Sequence, residues 1–516
     1  MKNIACLFTL WLLLAAEPLA QAPSSLLLNR DGQNNRYNGI GQLRGGSTCT
    51  AVLIKVSEAA SAPAYALTNG HCINLLGANE VLIDQPPGGR RVVFNYFQDT
   101  TDQQITVNIR RVAWATMKGA DLAVLELDAM LQSLVAAGLQ PWELAASDPL
   151  PGEEINVVGI PVSGISSGQA FLRLAECVSG ARVNLIEFNW HFFDMWLNGC
   201  ADIRGGSSGS PVISVTRNQV IALINTTTAG SPPYGDCYLN RPCEVGPGGP
   251  RVRENTNYAA GLAGVRECFD DAGRFTLARA GCALDNGRQL RATGYPPAAV
   301  QPWIRDSATG ALRRATWNVT IGGEDFSYYR FKTGPEEQTD CRNPAGYGPV
   351  IKLSEHNRFN DEIPEREGRY YFCLLGGALP AVDETWQPPR FATQVHVEID
   401  VTPPRLSPVY LVRDLGDRWQ VTLVFALPEL SGYQYKIGRF GEIDCRLPAG
   451  YREYLRVPVS VSKTDGPQTF CLIGRDYADN QSYPRELLLE TDRWSEIFRG
   501  RPPRITRSSG GELPRR

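Results

Sequence analysis

Three polar residues in the first half of the chain stand in short motifs that could carry nucleophilic chemistry. His71 lies in LTNGHC, Asp121 begins DLAVL, and Ser208 lies in GGSSGSP. A serine hydroxyl is a weak nucleophile at neutral pH, and it needs a nearby base such as histidine to take its proton. A buried carboxylate must in turn orient that histidine and stabilise its charged form. We therefore predict that the three side chains form one site that attacks a carbonyl carbon.

The glycine-rich turn around Ser208 suits a second requirement of this chemistry. Attack on a carbonyl produces a negatively charged oxygen, and backbone N–H groups are the usual donors that stabilise it. Glycine lets two such groups converge without obstruction from a side chain. We predict an oxyanion hole formed by the backbone N–H groups of Gly206 and Ser208.

Taken together, these motifs resemble those of the chymotrypsin-like serine peptidases, in the form common in bacterial trypsin-like and glutamyl-endopeptidase-like members. Their order is His, Asp, Ser, and the resemblance covers the region from residue 36 to residue 285. It implies an all-β, chymotrypsin-like double β-barrel with the active-site cleft between the barrels. It also implies that His71 is the general base, Asp121 orients it, Ser208 is the nucleophile, and a Cys49–Cys72 disulfide fixes the histidine loop.

The sequence departs from the animal members of that family at two places. Ser207 precedes the nucleophile where many members have an aspartate, and no Ile-Val-Gly-Gly start is present. In the family, that aspartate pairs with a new N-terminal amine after zymogen cleavage. We therefore expect the oxyanion hole to form without such an ion pair.

For the primary specificity, the sequence leaves alternatives open. Asp202 lies six residues before Ser208, at the offset where trypsin-like members carry the aspartate that pairs with Arg or Lys of the substrate. The competing interpretation is a surface ion pair between Asp202 and Arg204. Glutamyl endopeptidases carry a histidine near the strand that lines the substrate pocket. This sequence has no histidine there, which disfavours a preference for glutamate. The strand predicted to line the pocket contributes Asn225, Thr226 and Thr227.

Length and the first residues indicate an exported, multidomain protein. The 516 residues exceed what one core supports, and the net charge of −3 gives no reason to expect nucleic-acid binding. Residues 1–22 read as a signal peptide, with Lys2, an apolar run and a cleavage site near Ala22. The run is too short for a membrane anchor, and no later stretch is long and apolar enough to span a bilayer. We predict a secreted protein, extracellular or periplasmic, without a membrane span after cleavage.

Thirteen cysteines are present, and Cys6 lies in the predicted signal peptide. The other twelve suit disulfides in an exported protein, although spacing alone leaves the connectivity open. A zinc site is disfavoured because the spacings form no paired C-x-x-C knuckles. Nearest-neighbour pairing suggests Cys49–Cys72, Cys177–Cys200, Cys237–Cys243, Cys268–Cys282, Cys341–Cys373 and Cys445–Cys471.

The second half of the chain contains an internal repeat. YRFKTG leads to DCRNPAGY ending at Tyr347, and YQYKIG leads to DCRLPAGY ending at Tyr451. A repeat of this length indicates small domains, and the pattern resembles the immunoglobulin-like repeats of bacterial secreted proteins. We predict two immunoglobulin-like β-sandwich domains after the double barrel. The predicted divisions are 1–22 signal peptide, 23–285 peptidase domain, 286–317 linker, 318–402 first repeat, 403–498 second repeat and 499–516 disordered basic tail.

These features predict a secreted serine endopeptidase that needs no metal or organic cofactor and acts on protein or peptide substrates. The repeats are predicted to be binding or spacer modules, with a cell surface or a polysaccharide as possible ligand. Tyr347 and Tyr451 could contact such a ligand, but tyrosines at matching repeat positions more often belong to the core. The alternative is an adhesin or cell-envelope binding protein with a weak or inactive peptidase domain. An esterase ranks last because the Gly-x-Ser-x-Gly elbow is absent around Ser208.

Overall fold

The computed structural model describes residues 22–232, 235–296, 299–306, 308–424 and 429–497. The predicted basic tail and, except for Ala22, the predicted signal peptide lie outside these residues. Strands dominate the described chain. Its helices are α1 (Leu131–Ala136), α2 (Ala263–Arg266) and short 3-10 turns at Asn35–Tyr37, Thr101–Gln103, Ser167–Gln169, Glu336–Gln338 and Pro389–Phe391.

The first barrel is an antiparallel sheet that closes on itself in the order β2-β6-β7-β8-β4-β3 and back to β2, with β5 and β9 added at its sides. Its interior is filled by large buried side chains such as Tyr65, Phe94 and Trp114. The strands up to this point are β1 (Ser25–Leu26), β2 (Ile40–Arg44), β3 (Cys49–Lys55), β4 (Pro63–Thr68), β5 (Val81–Gln85), β6 (Arg91–Phe94), β7 (Ile105–Thr116), β8 (Leu122–Met130) and β9 (Trp142–Glu143).

The second barrel closes in the order β10-β13-β14-β17-β12-β11 and back to β10, and the N-terminal strand β1 pairs with β11. Two closed six-stranded barrels therefore follow each other, and the predicted all-β, trypsin-like fold is confirmed. The strands are β10 (Glu154–Gly159), β11 (Arg173–Glu187), β12 (Trp190–Asn198), β13 (Pro211–Ser214), β14 (Val220–Thr227), β15 (Cys243–Gly246), β16 (Gly249–Arg251) and β17 (Asn257–Gly261).

The first C-terminal unit has a three-stranded sheet (β18-β22-β25), a five-stranded sheet (β19-β27-β26-β23-β24) and the hairpin β20-β21. Side chains of both larger sheets, including Ile321 and Phe372, share one core. The strands are β18 (Arg291–Thr293), β19 (Ala299–Val300), β20 (Trp303–Arg305), β21 (Leu312–Arg314), β22 (Val319–Gly322), β23 (Tyr328–Pro335), β24 (Ile351–Lys352), β25 (Arg358–Phe359), β26 (Gly368–Gly377) and β27 (Thr393–Ile399).

The second C-terminal unit repeats this plan with the sheets β28-β29-β32 and β31-β30-β33-β34-β35. The sequence repeat is also a repeat of register, because Lys332 pairs with Cys373 in the first unit and Lys436 pairs with Cys471 in the second. The strands are β28 (Val409–Asp414), β29 (Arg418–Val424), β30 (Gly432–Arg439), β31 (Arg452–Glu453), β32 (Val459–Ser462), β33 (Gln468–Arg475), β34 (Arg485–Leu489) and β35 (Trp494–Ile497).

The segment 286–317 is not the simple linker that its Gly, Pro and charge content predicts. It carries β18 to β21, and Leu290 and Trp317 are buried in the core of the first C-terminal unit. Several apolar residues of the segment belong to that core, although Trp303 and Leu312 are exposed, and composition alone does not show which residues become buried. The unit therefore begins about thirty residues earlier than predicted, and only a short connection separates it from the second barrel.

All six disulfides predicted by nearest-neighbour pairing are present. Cys49–Cys72 joins the start of β3 to the loop that follows β4, and so holds the backbone beside His71. The repeats have one disulfide each, Cys341–Cys373 and Cys445–Cys471.

The first C-terminal unit packs against the barrels. The side chain of Asn79 bonds to the backbone of Gln394 in both directions, at 2.7 and 2.9 Å. His191 of β12 lies against Tyr371 and His396 of the unit, with ring centroids 5.0 and 5.3 Å apart. The first C-terminal unit is thus attached at β12, the strand that also contributes Trp190 and Phe192 to the cavity of the candidate site.

Candidate active site

His71 lies in the loop that follows β4 and Asp121 directly precedes β8, and the two side chains form a close pair. Nδ1 of His71 lies 2.6 Å from Oδ2 of Asp121, and the backbone N–H of His71 donates to Oδ1 at 3.0 Å. The Asp121 carboxylate is fully buried, whereas the His71 side chain is 25 % exposed. The side-chain amide of Asn69 donates to the backbone carbonyl of Asp121 at 2.8 Å. The histidine ring is therefore oriented by the aspartate and keeps its other nitrogen free to face the cavity.

The charge on this histidine is balanced between burial and its acidic neighbours. Burial alone would lower the pKa of His71, because it disfavours the charged ring. The charge of Asp121 and its hydrogen bond outweigh burial, and with a smaller contribution from Glu187 they raise the pKa above the ordinary 6.5. A raised pKa makes the neutral ring a stronger base towards the proton of an alcohol.

Ser208 lies in a turn whose shape depends on two glycines. Gly206 has φ +100°, and a Cβ there would come within 2.6 Å of the Ile160 carbonyl oxygen. Gly209 has φ +80°, and a Cβ there would lie 2.2 Å from the Thr50 carbonyl oxygen. Both positions combine a left-handed backbone with backbone contact, so only glycine fits. The turn is thereby pressed against β3, where the Thr50 N–H donates to the Ser208 carbonyl at 2.8 Å.

The predicted oxyanion donors are available. Within the described part of the chain, the backbone N–H groups of Gly206 and Ser208 have no acceptor, whereas those of Ser207 and Gly209 bond to Arg204 and Ile224. The buried Ser207 hydroxyl accepts the N–H of Arg204 at 3.3 Å. At the position before Ser208, where animal members of the family have an aspartate in an ion pair, this protein has a neutral hydrogen bond between Ser207 and the backbone of Arg204.

One cavity of about 680 Å³ brings residues of both barrels together. His71 and Asp121 come from the first barrel, and Ser208 from the second. All residues predicted to line a substrate pocket also border this cavity, namely Asp202, Asn225, Thr226 and Thr227.

These pocket residues have different environments. Oδ2 of Asp202 accepts the backbone N–H and hydroxyl of Ser24, and its other oxygen lies 3.6 Å from Nη2 of Arg204. Burial alone would raise the pKa of Asp202, but the Ser24 hydrogen bonds and the charge of Arg204 outweigh it and lower the pKa. Thr227 donates to Oδ1 of Asn257 at 2.7 Å. Asn225 is only 4 % exposed, and its Nδ2 has no partner among the described residues.

Sequence reasoning missed three residues that support the site. Asn69 lies inside the histidine motif and could have been found from it. Thr50 follows Cys49, and its hydroxyl bonds to the Gly206 carbonyl at 3.0 Å. Glu187 lies at the end of β11 and borders the cavity. Nothing in its local pattern distinguishes it from an ordinary acidic residue at a strand end.

Among the described residues, potential metal ligands cluster only at Cys49, His71 and Cys72, within 4.8 Å of one another. Both sulfurs are bonded in a disulfide and the Nδ1 of the histidine faces Asp121. Thiolates are the form of cysteine that binds zinc, so this cluster does not suit a metal.

Residues 49–223 match the trypsin-like peptidase domain. That match includes all three residues of the proposed triad. A search of the curated proteins finds no match for the chain.

Two solved protease structures match part of the chain. One is the thermostable serine protease AL20 from an extremophilic microorganism, 15 % identical with a TM-score of 0.30, covering 44 % of this chain and 92 % of that one. The other is the protease Anisep from Arthrobacter nicotinovorans, 13 % identical with a TM-score of 0.28, covering 44 % and 91 %.

Of the helices in the described residues, none has the length and apolarity required to cross a membrane.

Proposed function

We propose that this protein is a secreted serine endopeptidase with His71, Asp121 and Ser208 as its catalytic triad. The observation that carries the proposal is the 2.6 Å pairing of His71 Nδ1 with the buried Asp121 carboxylate, in a cavity that Ser208 also borders. The match of residues 49–223 to the trypsin-like peptidase domain supports the same reaction class. Protein or peptide substrates follow from that class.

The proposed reaction is acyl transfer through a covalent intermediate. The Ser208 oxygen attacks the peptide carbonyl carbon while Nε2 of His71 takes the hydroxyl proton. The unpaired N–H groups of Gly206 and Ser208 donate to the oxyanion. The intermediate collapses as His71 gives the proton to the leaving amine, and the peptide C–N bond breaks. Water then attacks the acyl-enzyme in the same way, and the acid product leaves as Ser208 regains its proton.

For the C-terminal units we propose a spacer or binding role, with an immunoglobulin-like fold. Each unit has two sheets around one core and one disulfide, which is typical of small exported domains. The repeat tyrosines serve their own loops, because Tyr347 and Tyr451 donate to the carbonyls of Cys341 and Cys445 at 2.8 and 2.7 Å. A ligand would therefore be recognised by other residues.

Covalent labelling tests the proposed triad directly. A fluorophosphonate probe is incubated with the purified disulfide-intact protein, with Ser208→Ala and with His71→Ala, and the modified peptide is identified by mass spectrometry. We expect one label on Ser208 of the wild type and almost none on either variant. An unlabelled wild type that cleaves no protein, together with cell or polysaccharide binding by its C-terminal units, would favour the adhesin alternative. Ester turnover without peptide cleavage would indicate an esterase.

A further inference from the structure

A buried carboxylate lies in the cavity beside the triad and takes no direct part in the bond-forming and bond-breaking steps of the proposed reaction. Glu187 is only 5 % exposed, yet it borders the same cavity as His71 and Ser208. Its Oε1 accepts the backbone N–H of Asn240 at 2.7 Å, and the Thr226 hydroxyl also favours the ionised carboxylate. Both donors are uncharged. Among the described residues, no lysine or arginine forms an ion pair with it.

Such a carboxylate is costly to ionise without a cation. Charged groups lose much of their hydration on burial, and they are normally paired. Burial is the largest influence on Glu187, and it raises the pKa to about 7. The hydrogen bond from Asn240, the Thr226 hydroxyl and the charge of His71 oppose that rise, whereas Asp121 adds to it. A cation supplied by a substrate would stabilise the ionised form.

The wall that carries Glu187 is held rigidly against the triad loops. Trp190, three residues further along, donates its indole N–H to the Leu76 carbonyl at 2.9 Å. Phe193 of the same strand, β12, donates its backbone N–H to the Gly119 carbonyl at 2.8 Å, in the loop before Asp121. Because Glu187 pairs with Trp190, these two contacts of β12 connect it to the loops that carry His71 and Asp121.

Glu187 and Asp202 occupy different parts of the cavity. Glu187 interacts with His71 and Asp121, whereas Asp202 interacts with Ser24, Arg204 and Arg173. A substrate strand lying along β14 points successive side chains to opposite sides. If one side chain enters the region of Asp202, the preceding one meets His71, Thr226 and Glu187. The unpartnered amide of Asn225, buried in the same wall, is available to the substrate backbone.

We propose that Glu187 selects a lysine or arginine side chain at the substrate residue immediately before the one that is cleaved. The cationic group donates to the carboxylate oxygen that the Asn240 N–H leaves free. The inference rests on the proposed peptidase function. Of the two measurements that test it, the first measures cleavage and the second measures binding without catalysis.

The first measurement compares two peptides that differ only at that residue, with lysine in one and norleucine in the other. We expect kcat/KM at pH 8.5 to favour lysine roughly ten- to hundredfold, the range of a hydrogen bond to a charged group. The ratio should fall towards one at pH 5.5, where Glu187 is protonated. Glu187→Gln should bring the ratio close to one at both pH values. Glu176→Gln, an exposed position on the same strand, is the matched control and should leave both rates unchanged.

The second measurement is the affinity of the same peptides for the Ser208→Ala protein at pH 8.5. Preference for lysine in this binding assay, with no cleavage by the wild type, would overturn the peptidase proposal and keep the inference. Cleavage with equal rates for both peptides would overturn the inference and keep the peptidase. If Glu187→Gln does not fold, the wild-type ratio decides, because a ratio that is the same at pH 5.5 and 8.5 contradicts a role for this carboxylate.

Discussion

The backbone N–H and hydroxyl of Ser24 both donate to Oδ2 of Asp202, at 2.9 and 2.8 Å. The two residues are 178 positions apart, and the pairing of β1 with β11 brings the N-terminal segment to the rim of the cavity. The proposed cleavage near Ala22 would leave Ser24 close to the new N-terminus. Asp202 thus has partners within the protein on both of its oxygens, since Arg204 lies beside the other one.

We therefore expect Asp202→Asn to act mainly on stability. The amide keeps one oxygen that can accept from Ser24 but loses the charge that strengthens these bonds and faces Arg204, so we expect a cost of about 1 kcal/mol in the free energy of unfolding, measured by urea denaturation. The preference for the cleaved residue, measured with a peptide library, should change less than about twofold, because the change leaves the remainder of the cavity intact. A tenfold or greater loss of cleavage after Arg and Lys would instead assign Asp202 to the substrate pocket.

Asp121→Asn should separate the orientation of His71 from the fold. The amide has similar size but no charge, so the histidine loses both its preferred tautomer and the stabilisation of its charged form. We expect kcat to fall by about 10³–10⁴-fold, in line with the same change in other triads, with the circular dichroism spectrum unchanged. Asp128→Asn, an exposed position on β8, is the control. Full activity in Asp121→Asn would refute the assignment.

Gly206→Ala tests the shape of the turn that holds Ser208. The added Cβ would meet the Ile160 carbonyl oxygen at 2.6 Å, so the turn must shift and with it the proposed oxyanion donors. We expect a loss of roughly 10²–10³-fold in kcat, the cost of one oxyanion donor, and slower fluorophosphonate labelling. Gly152→Ala is a suitable control because it shares a positive φ of +81° and a Cβ there has nothing within 4 Å. Equal activity in both variants would contradict the role of the turn.

Acid should weaken the contact between the second barrel and the first C-terminal unit. Burial is the main cause that lowers the pKa of His396 to about 3 and that of His191 well below 6.5, and the charge of Arg369 adds to it. Because these folded-state pKa values are depressed, the unfolded chain binds more protons below pH 6.5, and stability falls as the pH falls. The half-buried Glu336 has a pKa that burial raises, and it partly offsets this trend between its unfolded and folded pKa values.

The measurement is the thermal midpoint at pH 7 and pH 5. We expect a lower midpoint at pH 5 in the wild type and a smaller difference in His396→Gln, which removes one of the two titrating rings. His356→Gln, at an exposed position of the same unit, should behave like the wild type. An identical pH response in His396→Gln would show that other groups cause the acid sensitivity.

The parts of this architecture that could be predicted from the sequence are those that depend on short-range features. The histidine and serine motifs, the alternating strands and the cysteine pairs depend on residues close in sequence. Nearest-neighbour pairing succeeded because each disulfide closes a loop of 6 to 32 residues within one sheet pair or one loop. The repeat was visible because both copies use the same residues to close the same turn, with Lys332 and Lys436 each lying over a tyrosine ring.

The sequence by itself determined the strand-rich fold, the repeat and a candidate triad, and it suggested the disulfide partners that the structure contains, because local spacing controls strand alternation, turn shape and short loop closure. Only the tertiary structure decided that Glu187 enters the cavity, that Ser24 holds Asp202 and that the segment 286–317 joins a core. These contacts join residues that are far apart along the chain, and they depend on how whole barrels and sheets pack. No local pattern carries that information, because the same acidic residue at a strand end can equally face water.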